Sequence, residues 1–219
     1  VPYIHEDFME VWDKMTELKR LGLVKNIGTS NQTRKTIDLL LRDTDDFNRP
    51  TYNQMELHPL FQQKEFVQFL IENKIAPSGY MSLGSPRRPG RDRFPEHQSD
   101  MQHHIIQSIS AQTGLTPPQV CLAWAHQREN NQVGYVSMAE RSDWIKSNLL
   151  GATQNVLSNE QFQLIDGNNK EENPGINTNN RLIWGQVFLW PEAKYLGHPR
   201  YVLWDDHQIF ETKSDYDEF

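Results

Sequence analysis

The chain has 219 residues, a formal net charge of −7 and a pI near 5.6, a balance that argues against general nucleic-acid binding, which needs a basic face. Mean hydropathy is low at −0.73, but six Trp, seven Tyr and ten Phe supply enough apolar area for a core, which argues against disorder of the whole chain. No stretch approaches 18 apolar residues and the first residues lack signal-peptide features, so we expect no membrane span.

Cys121 is the only cysteine, so no intrachain disulfide can form and a reducing cytoplasm is the simplest location. It lies in an apolar helical run over residues 119–125. Packing in the core is a better interpretation than catalysis there, because only His126 lies at a helical spacing that could activate the thiol.

Two groups of side chains resemble metal ligands at first inspection. The acidic run at residues 43–46 has no further ligands organised around it, so a solvated loop is the better interpretation. His103 and His104 point about 100° apart if they lie on a helix, which is poor geometry for shared coordination, even with His97 nearby. We therefore expect no metal site.

Helical and extended patterns alternate along the first 165 residues. Apolar residues at three- and four-residue spacing predict a helix over residues 6–20, and Gly22 is placed to end it. Each short apolar or β-branched run is followed by a helical pattern, as in consecutive β/α units. The predicted strands are 23–27, 51–57, 76–83 and 132–137, and the other predicted helices are 32–42, 64–73, 99–112, one that begins at 116, 141–150 and 158–165.

The pattern breaks at residue 166, where a tail rich in Asn, Pro and aromatic residues begins. We interpret this tail as a long, irregular but ordered extension rather than a repeat or a linker. The predicted organisation is therefore a β/α part over residues 1–165 and an extension over residues 166–219.

Polar or amide side chains lie at the ends of three consecutive predicted strands. Because parallel strands of a β/α barrel end at one mouth, these side chains are expected to meet there. Ser30, Asn31 and Gln54 offer the donors and acceptors that a carboxamide needs, and Tyr80 offers a flat ring for stacking.

The loop after the third of these strands, residues 84–91, offers backbone N–H groups and arginines such as Arg87 to a pyrophosphate. Each group alone has a structural interpretation: a helix cap for Ser-Asn, a ladder-edge position for Gln and a core position for Tyr. Their order in consecutive units favours a site for a nicotinamide dinucleotide.

These motifs resemble the aldo-keto reductase family. Residues 22–31 are similar to the family segment that ends in Gly-Val-Ser-Asn, and residues 53–59 to its Asn-Gln-Val-Glu-x-His-Pro segment. Residues 80–85 resemble its Tyr-Ser-Pro-Leu-Gly segment, and residues 116–124 match the helix before its last strand. The resemblance covers about residues 7–165 and continues more weakly to Trp204.

The resemblance implies the α/β class and a (β/α)8 TIM barrel, present as a partial barrel formed by residues 1–165 with a C-terminal loop extension. It implies reduction of an aldehyde or ketone with NADP(H) or NAD(H), to which this chain contributes the cofactor-binding half. Ser30, Asn31 and Gln54 would then hold the carboxamide, Tyr80 would stack on the nicotinamide, and Leu83 and Ser85 would line the pyrophosphate path.

The family's catalytic Asp, Tyr, Lys and His precede the first helix of this chain, so no catalytic residue is assigned here and the isolated chain is expected to be inactive. His58 matches the strand-end His-Pro, a structural position. Met138 stands where the family has the Lys that meets a 2′-phosphate, and Trp144 stands where it has an Arg. Asn148 is retained, and the choice between NADPH and NADH stays open.

Two alternatives remain at the level of the sequence. Trp184 and Trp190 are either part of a lid over the substrate pocket, as the family's C-terminal loop is, or core anchors of the tail. The chain either belongs to a reductase of small carbonyl substrates, completed by a missing N-terminal segment or a second copy, or is a catalytically inactive relative that binds a nucleotide or a protein partner.

Overall fold

A computed structural model of the chain describes residues 3–84, 99–154, 156–167, 175–176 and 209–217. Helices and strands alternate through the first two of these ranges. The strands are β1 (Tyr3–Ile4), β2 (Thr29–Ser30), β3 (Tyr52–Glu56), β4 (Ala76–Tyr80), β5 (Gly134–Tyr135) and β6 (Ile209–Phe210). The helices are α1 (His5–Arg20), α2 (Arg34–Asp43), α3 (Lys64–Glu72), α4 (His104–Thr113), α5 (Pro117–Gln127), α6 (Ser142–Thr153), α7 (Asn159–Asp166) and α8 (Lys213–Asp217).

Four strands form one parallel sheet in the order β2-β3-β4-β5. Consecutive strands are neighbours and a helix follows each of them, which confirms the predicted α/β class and the β/α alternation. The register places Ser30 beside Gln54, Gln54 beside Ser78 and Glu56 beside Tyr80, so these residues share one face of the sheet.

The opposite face of the sheet packs against helices. Met55 of β3 and Leu57, directly after it, lie in a buried cluster with Ile37 of α2 and with Val67 and other residues of α3. A second cluster surrounds α5, where Cys121 is fully buried, as expected for a packing residue. Burial raises the pKa of the Cys121 thiol well above its usual value.

The predicted helix ends are confirmed where local hydrogen bonds define them. Gly22 has φ +72° and its N–H donates to the Lys19 carbonyl, while the N–H of Leu23 donates to the Leu18 carbonyl, so α1 ends in a Schellman motif. At α7, the Gln161 N–H donates to Ser158 Oγ and Gln161 Oε1 accepts from the Ser158 N–H, which is a capping box.

Two predicted elements are wrong in position. Residues 23–27 do not form a strand: pairing with β3 begins at Thr29, although the Ile27 carbonyl already accepts a bond from the Thr51 N–H. The helix predicted over 99–112 is interrupted, since a 3₁₀ turn over Asp100–Gln102 ends at an extended His103, whose Nδ1 accepts the N–H of Ile105 and starts α4.

One pairing was not predicted from the sequence. β6, from the C-terminal extension, pairs in parallel with β1 at the start of the chain. Salt bridges support it: Arg42 Nη1 lies 2.9 Å from Glu211 Oε2, and Lys213 Nζ lies 2.8 Å from Asp7 Oδ1. Residues 209–213 of the extension therefore pack near α1 and α2, whereas Ile176 is buried in the cluster around α5.

Candidate cofactor-binding site

The ends of β2 and β3 are joined by hydrogen bonds to one carbonyl group. Ser30 Oγ donates to the Gln54 carbonyl at 3.0 Å, and the N–H of Asn31 donates to the same oxygen at 2.7 Å. Asn31 adopts the left-handed region, with φ +58°, which Asn tolerates better than most residues. This conformation ends β2 and turns the chain toward α2.

Tyr80 connects this turn with the end of β4. Its hydroxyl donates to Asn31 Oδ1 at 2.8 Å. The structure therefore brings together four residues that the sequence singled out separately, Ser30, Asn31, Gln54 and Tyr80, at the C-terminal edge of the sheet.

Several polar atoms of this group have no hydrogen-bond partner among the described residues. Asn31 Nδ2 and the side-chain amide of Gln54 are the atoms without such a partner, and Ser30 Oγ donates but keeps its acceptor lone pairs. Gln54 and Asn31 are only half-buried. The donor and acceptor set thus fits a ligand that carries a carboxamide.

A buried residue beside this group was missed by the sequence analysis. The Asn53 side chain is fully buried on the helix-facing side of β3, and Oδ1 accepts from Thr29 Oγ1 at 2.9 Å. It also contacts both backbone groups of Gln32. The signal that could have found it is a polar residue at a position where strand alternation requires an apolar one, since burying an unpaired amide is costly.

A second buried polar cluster lies at the end of β3. His58 Nε2 is 3.2 Å from Glu56 Oε1 and Nδ1 is 2.9 Å from Asp100 Oδ2, and all three side chains are buried. Burial alone would lower the pKa of His58, but the Asp100 charge and the hydrogen bonds to Asp100 and Glu56 outweigh it and raise this pKa to about 9. The two carboxylates therefore favour the protonated imidazolium form of His58.

The loop after β4 begins against the same cluster. Gly84 has φ +65°, and a Cβ atom there would lie 2.6 Å from the backbone nitrogen of Asp100. Leu83, predicted to line the pyrophosphate path, is half-buried against the cluster around α5. The predictions for Ser85 and Arg87 fall outside the described residues.

Three further predicted cofactor residues lie beyond β5, on the side of β4 away from Asn31. Met138 is 84% exposed. Trp144 is 38% exposed, and the Arg141 guanidinium lies 5.0 Å from its ring centre. Asn148 Nδ2 donates to Ser137 Oγ at 3.4 Å. These three residues lie in the segment and helix that follow β5, whereas Ser30, Asn31, Gln54 and Tyr80 lie on β2, β3 and β4 or directly after them.

Trp184 and Trp190 fall outside the described residues, so their predicted role as a lid stays a prediction. Within the described ranges, no three His, Cys, Asp or Glu side chains are grouped in a way that could hold a metal ion. In the same ranges, the helices are too short or too polar to cross a bilayer.

Comparison with known proteins agrees with the strand-end motifs. A profile of the aldo/keto reductase family matches residues 1–170. Glycerol 2-dehydrogenase (NADP(+)) from Saccharomyces cerevisiae is 30% identical over 168 residues, which cover 76% of this chain and 48% of the yeast protein. Aldo-keto reductase family 1 member C23 from Equus caballus is 27% identical over 203 residues, or 92% of this chain and 56% of the horse protein.

Deoxymugineic acid synthase 1 from Hordeum vulgare is 34% identical over 133 residues, which cover 58% of this chain and 40% of the barley protein. The chain thus spans about half the length of the curated relatives it matches. Because the family profile covers more than half of the chain, this protein belongs to the aldo/keto reductase family. Its four parallel strands are part of the family's (β/α)8 barrel.

Proposed function

We propose that this chain supplies the nicotinamide-binding half of an enzyme that reduces an aldehyde or ketone with NADP(H) or NAD(H). The observation that carries the proposal is the convergence of Ser30, Asn31, Gln54 and Tyr80, in which the amide groups of Asn31 and Gln54 keep donors and acceptors without a partner among the described residues. The family and the NADP(+) in the name of the yeast relative support the choice of cofactor.

In this proposal the chain's own residues bind and orient the cofactor. Asn31 Nδ2 donates to the carboxamide oxygen, and Gln54 and Ser30 Oγ accept from its NH₂ group. The ring of Tyr80 stacks on the nicotinamide, and its hydrogen bond to Asn31 fixes the angle of that ring. The bound nicotinamide supplies the hydride that reduces the carbonyl carbon. Leu83, Ser85 and Arg87 would line the pyrophosphate path, and Met138, Trp144 and Asn148 would meet the adenosine end.

Barrel completion is a second part of the proposal. In the described sheet, β2 and β5 are the edge strands, and a barrel closes only when every edge is paired. The groups that move the proton to a small carbonyl substrate would therefore come from strands outside this sheet, either in an N-terminal segment or in a second copy. Trp184 and Trp190 would line the substrate pocket, and the single buried cysteine supports a cytoplasmic location.

A second candidate function is favoured by the surface around α6. Met138 and Trp144 give this surface an apolar character in place of the basic pair that the family resemblance leads one to expect. A relative that binds a nucleotide or a protein partner without turnover would tolerate this change.

Fluorescence titration of the chain with NADPH and with NADH tests the proposal. We expect saturable binding that Gln54→Ala weakens about tenfold, as expected for loss of more than one hydrogen bond. Gln112→Ala on the exposed surface of α4 is the matched control and should leave the affinity unchanged. Absence of saturable binding would contradict the proposal.

Consumption of NADPH with a panel of aldehydes and ketones then separates the two candidates. Turnover by the natural protein supports the reductase. Saturable binding without turnover in that protein selects the inactive relative.

A further inference from the structure

We propose that Asn53 is the positioning residue of the cofactor site: its buried amide fixes the turn over residues 29–32 and thereby orients Ser30 and Asn31. The consequence for cofactor affinity rests on the proposed function, whereas the effect on the turn does not.

Apart from a 3.9 Å contact of Nδ2 with Met55 Sδ, the side chain of Asn53 makes its hydrogen bonds with a single turn of the chain. Oδ1 accepts from Thr29 Oγ1 at 2.9 Å and from the Gln32 N–H at 3.3 Å, while Nδ2 donates to the Gln32 carbonyl at 3.2 Å. Only one orientation of the amide satisfies both backbone groups of Gln32, because its N–H needs an acceptor and its carbonyl needs a donor.

The hydrogen bonds of Asn53 restrict the backbone of the segment between Thr29 and Gln32. Asn31 lies between the two anchored residues, Thr29 and Gln32, and it holds φ +58°. Its N–H also donates to the Gln54 carbonyl at 2.7 Å. The turn is thus fixed by two successive residues of β3, by the side chain of Asn53 and by the backbone of Gln54. With the backbone fixed, the Asn31 side chain meets the Tyr80 hydroxyl.

A purely packing role does not explain this residue. Asn53 lies on the helix-facing side of β3 with Met55 and Leu57, where an apolar side chain would fill space without the cost of burying an amide. Thr29 is also buried and directs its hydroxyl to Asn53. An amide is required here because the turn presents one donor and one acceptor at the same point.

Asn53→Asp tests the inference, because it keeps the shape of the side chain and removes the donor to the Gln32 carbonyl. Asn73→Asp is the matched control: Asn73 Nδ2 donates to the Phe69 carbonyl at 2.8 Å at the end of α3, away from the turn. Both variants lose one side-chain bond to a backbone carbonyl, so they control for general loss of stability.

The first readout is amide hydrogen exchange of the peptide that covers residues 29–33, which needs no cofactor. We expect exchange at Asn31 and Gln32 to rise about tenfold in Asn53→Asp, as for loss of about one hydrogen bond, and to stay unchanged in Asn73→Asp. Equal exchange in the two variants overturns the inference.

The second readout is the Kd for NADPH. We expect it to rise about tenfold in Asn53→Asp and to stay unchanged in Asn73→Asp, although both variants lose thermal stability. One outcome would contradict the positioning role alone: wild type binds NADPH, Gln54→Ala weakens this binding, and Asn53→Asp does not. The proposed function would stand in that case. If wild type fails to bind NADPH, the proposed function falls, and the exchange result alone decides whether Asn53 fixes the turn.

Thr29→Val is the milder variant should Asn53→Asp fail to fold. It removes the bond to Asn53 Oδ1 and the longer, 3.3 Å contact of the same hydroxyl with the Tyr52 carbonyl, and it leaves both bonds to Gln32. A smaller change in the same direction in both readouts supports the inference, and no change in either readout contradicts it.

Discussion

The hydroxyl of Tyr80 donates a 2.8 Å hydrogen bond to Oδ1 of Asn31 and so ties the end of β4 to the turn after β2, across the intervening β3. The two residues are 49 positions apart in the chain. The bond sets the distance between the ring proposed to stack on a nicotinamide and the amide proposed to bind its carboxamide.

Tyr80→Phe should keep the ring and release the Asn31 side chain. We expect a loss of about 1 kcal/mol in the free energy of unfolding and a several-fold rise in the Kd for NADPH, because the amide is no longer oriented. Denaturant unfolding and fluorescence titration measure the two effects. Tyr52→Phe, on the same sheet but 43% exposed, is the control and should change neither quantity. Equal affinities of Tyr80→Phe and wild type would show that the bond does not orient the site.

The buried Glu56–His58–Asp100 cluster should make the protein less stable in alkaline solution. The pKa of His58 is raised from 6.5 to about 9, so between these values the folded state binds more protons than the unfolded state and its stability falls as the pH rises. The expected decline is on the order of 1 kcal/mol per pH unit in that window.

Unfolding by urea at several pH values across this range measures the slope. His58→Gln should lower stability at neutral pH and remove most of the slope, because it leaves no group that titrates between the two carboxylates. His104→Gln, at the exposed start of α4, should retain the slope of wild type. A stability that is flat over this range in wild type would mean that His58 is neutral in the folded protein.

Gly84→Ala should lower the free energy of unfolding by about 1–3 kcal/mol, the usual cost of a strained backbone conformation, at the junction between β4 and the Asp100 turn. The new Cβ would lie 2.6 Å from the Asp100 nitrogen, and φ is +65°. Gly114→Ala separates the two causes, since Gly114 has φ +73° but no atom within 4 Å of a Cβ. Thermal unfolding of both variants measures the difference. If both substitutions lower stability by the same amount, the contact with Asp100 adds nothing to the destabilisation that the positive φ causes.

Met138→Lys combined with Trp144→Arg should favour NADPH over NADH, because two basic side chains attract a 2′-phosphate that only NADPH carries. We expect the Kd for NADPH to fall several-fold and the Kd for NADH to stay unchanged. Leu149→Lys, a charge added elsewhere on α6, is the control for general attraction of an anion. A parallel change in both dissociation constants would show that this surface does not meet the 2′-position.

The sequence by itself determined the features that depend on neighbouring residues. Gly22 ended α1 and Ser158 with Gln161 started α7 as predicted, because caps are made by groups within a few positions of each other. The alternation of strand and helix also followed from local periodicity. The sequence named Ser30, Asn31 and Tyr80 because they end or follow strands, and Gln54 because it is a polar residue within the next strand of the same parallel set.

Only the tertiary structure decided the contacts between distant residues. His58 and Asp100 are 42 positions apart, and Thr29 and Asn53 are 24 apart, so no local pattern indicates either pair. The position of β2 also depends on where its partner begins, and for that reason a strand predicted at residues 23–27 formed at Thr29–Ser30. The pairing of β1 with β6 joins opposite ends of the chain. Side chains at strand ends can be predicted from the sequence because the order of strands and helices fixes which residues lie there. The buried amides and charges that position these side chains come from distant parts of the chain, so they are known only once the strands have paired.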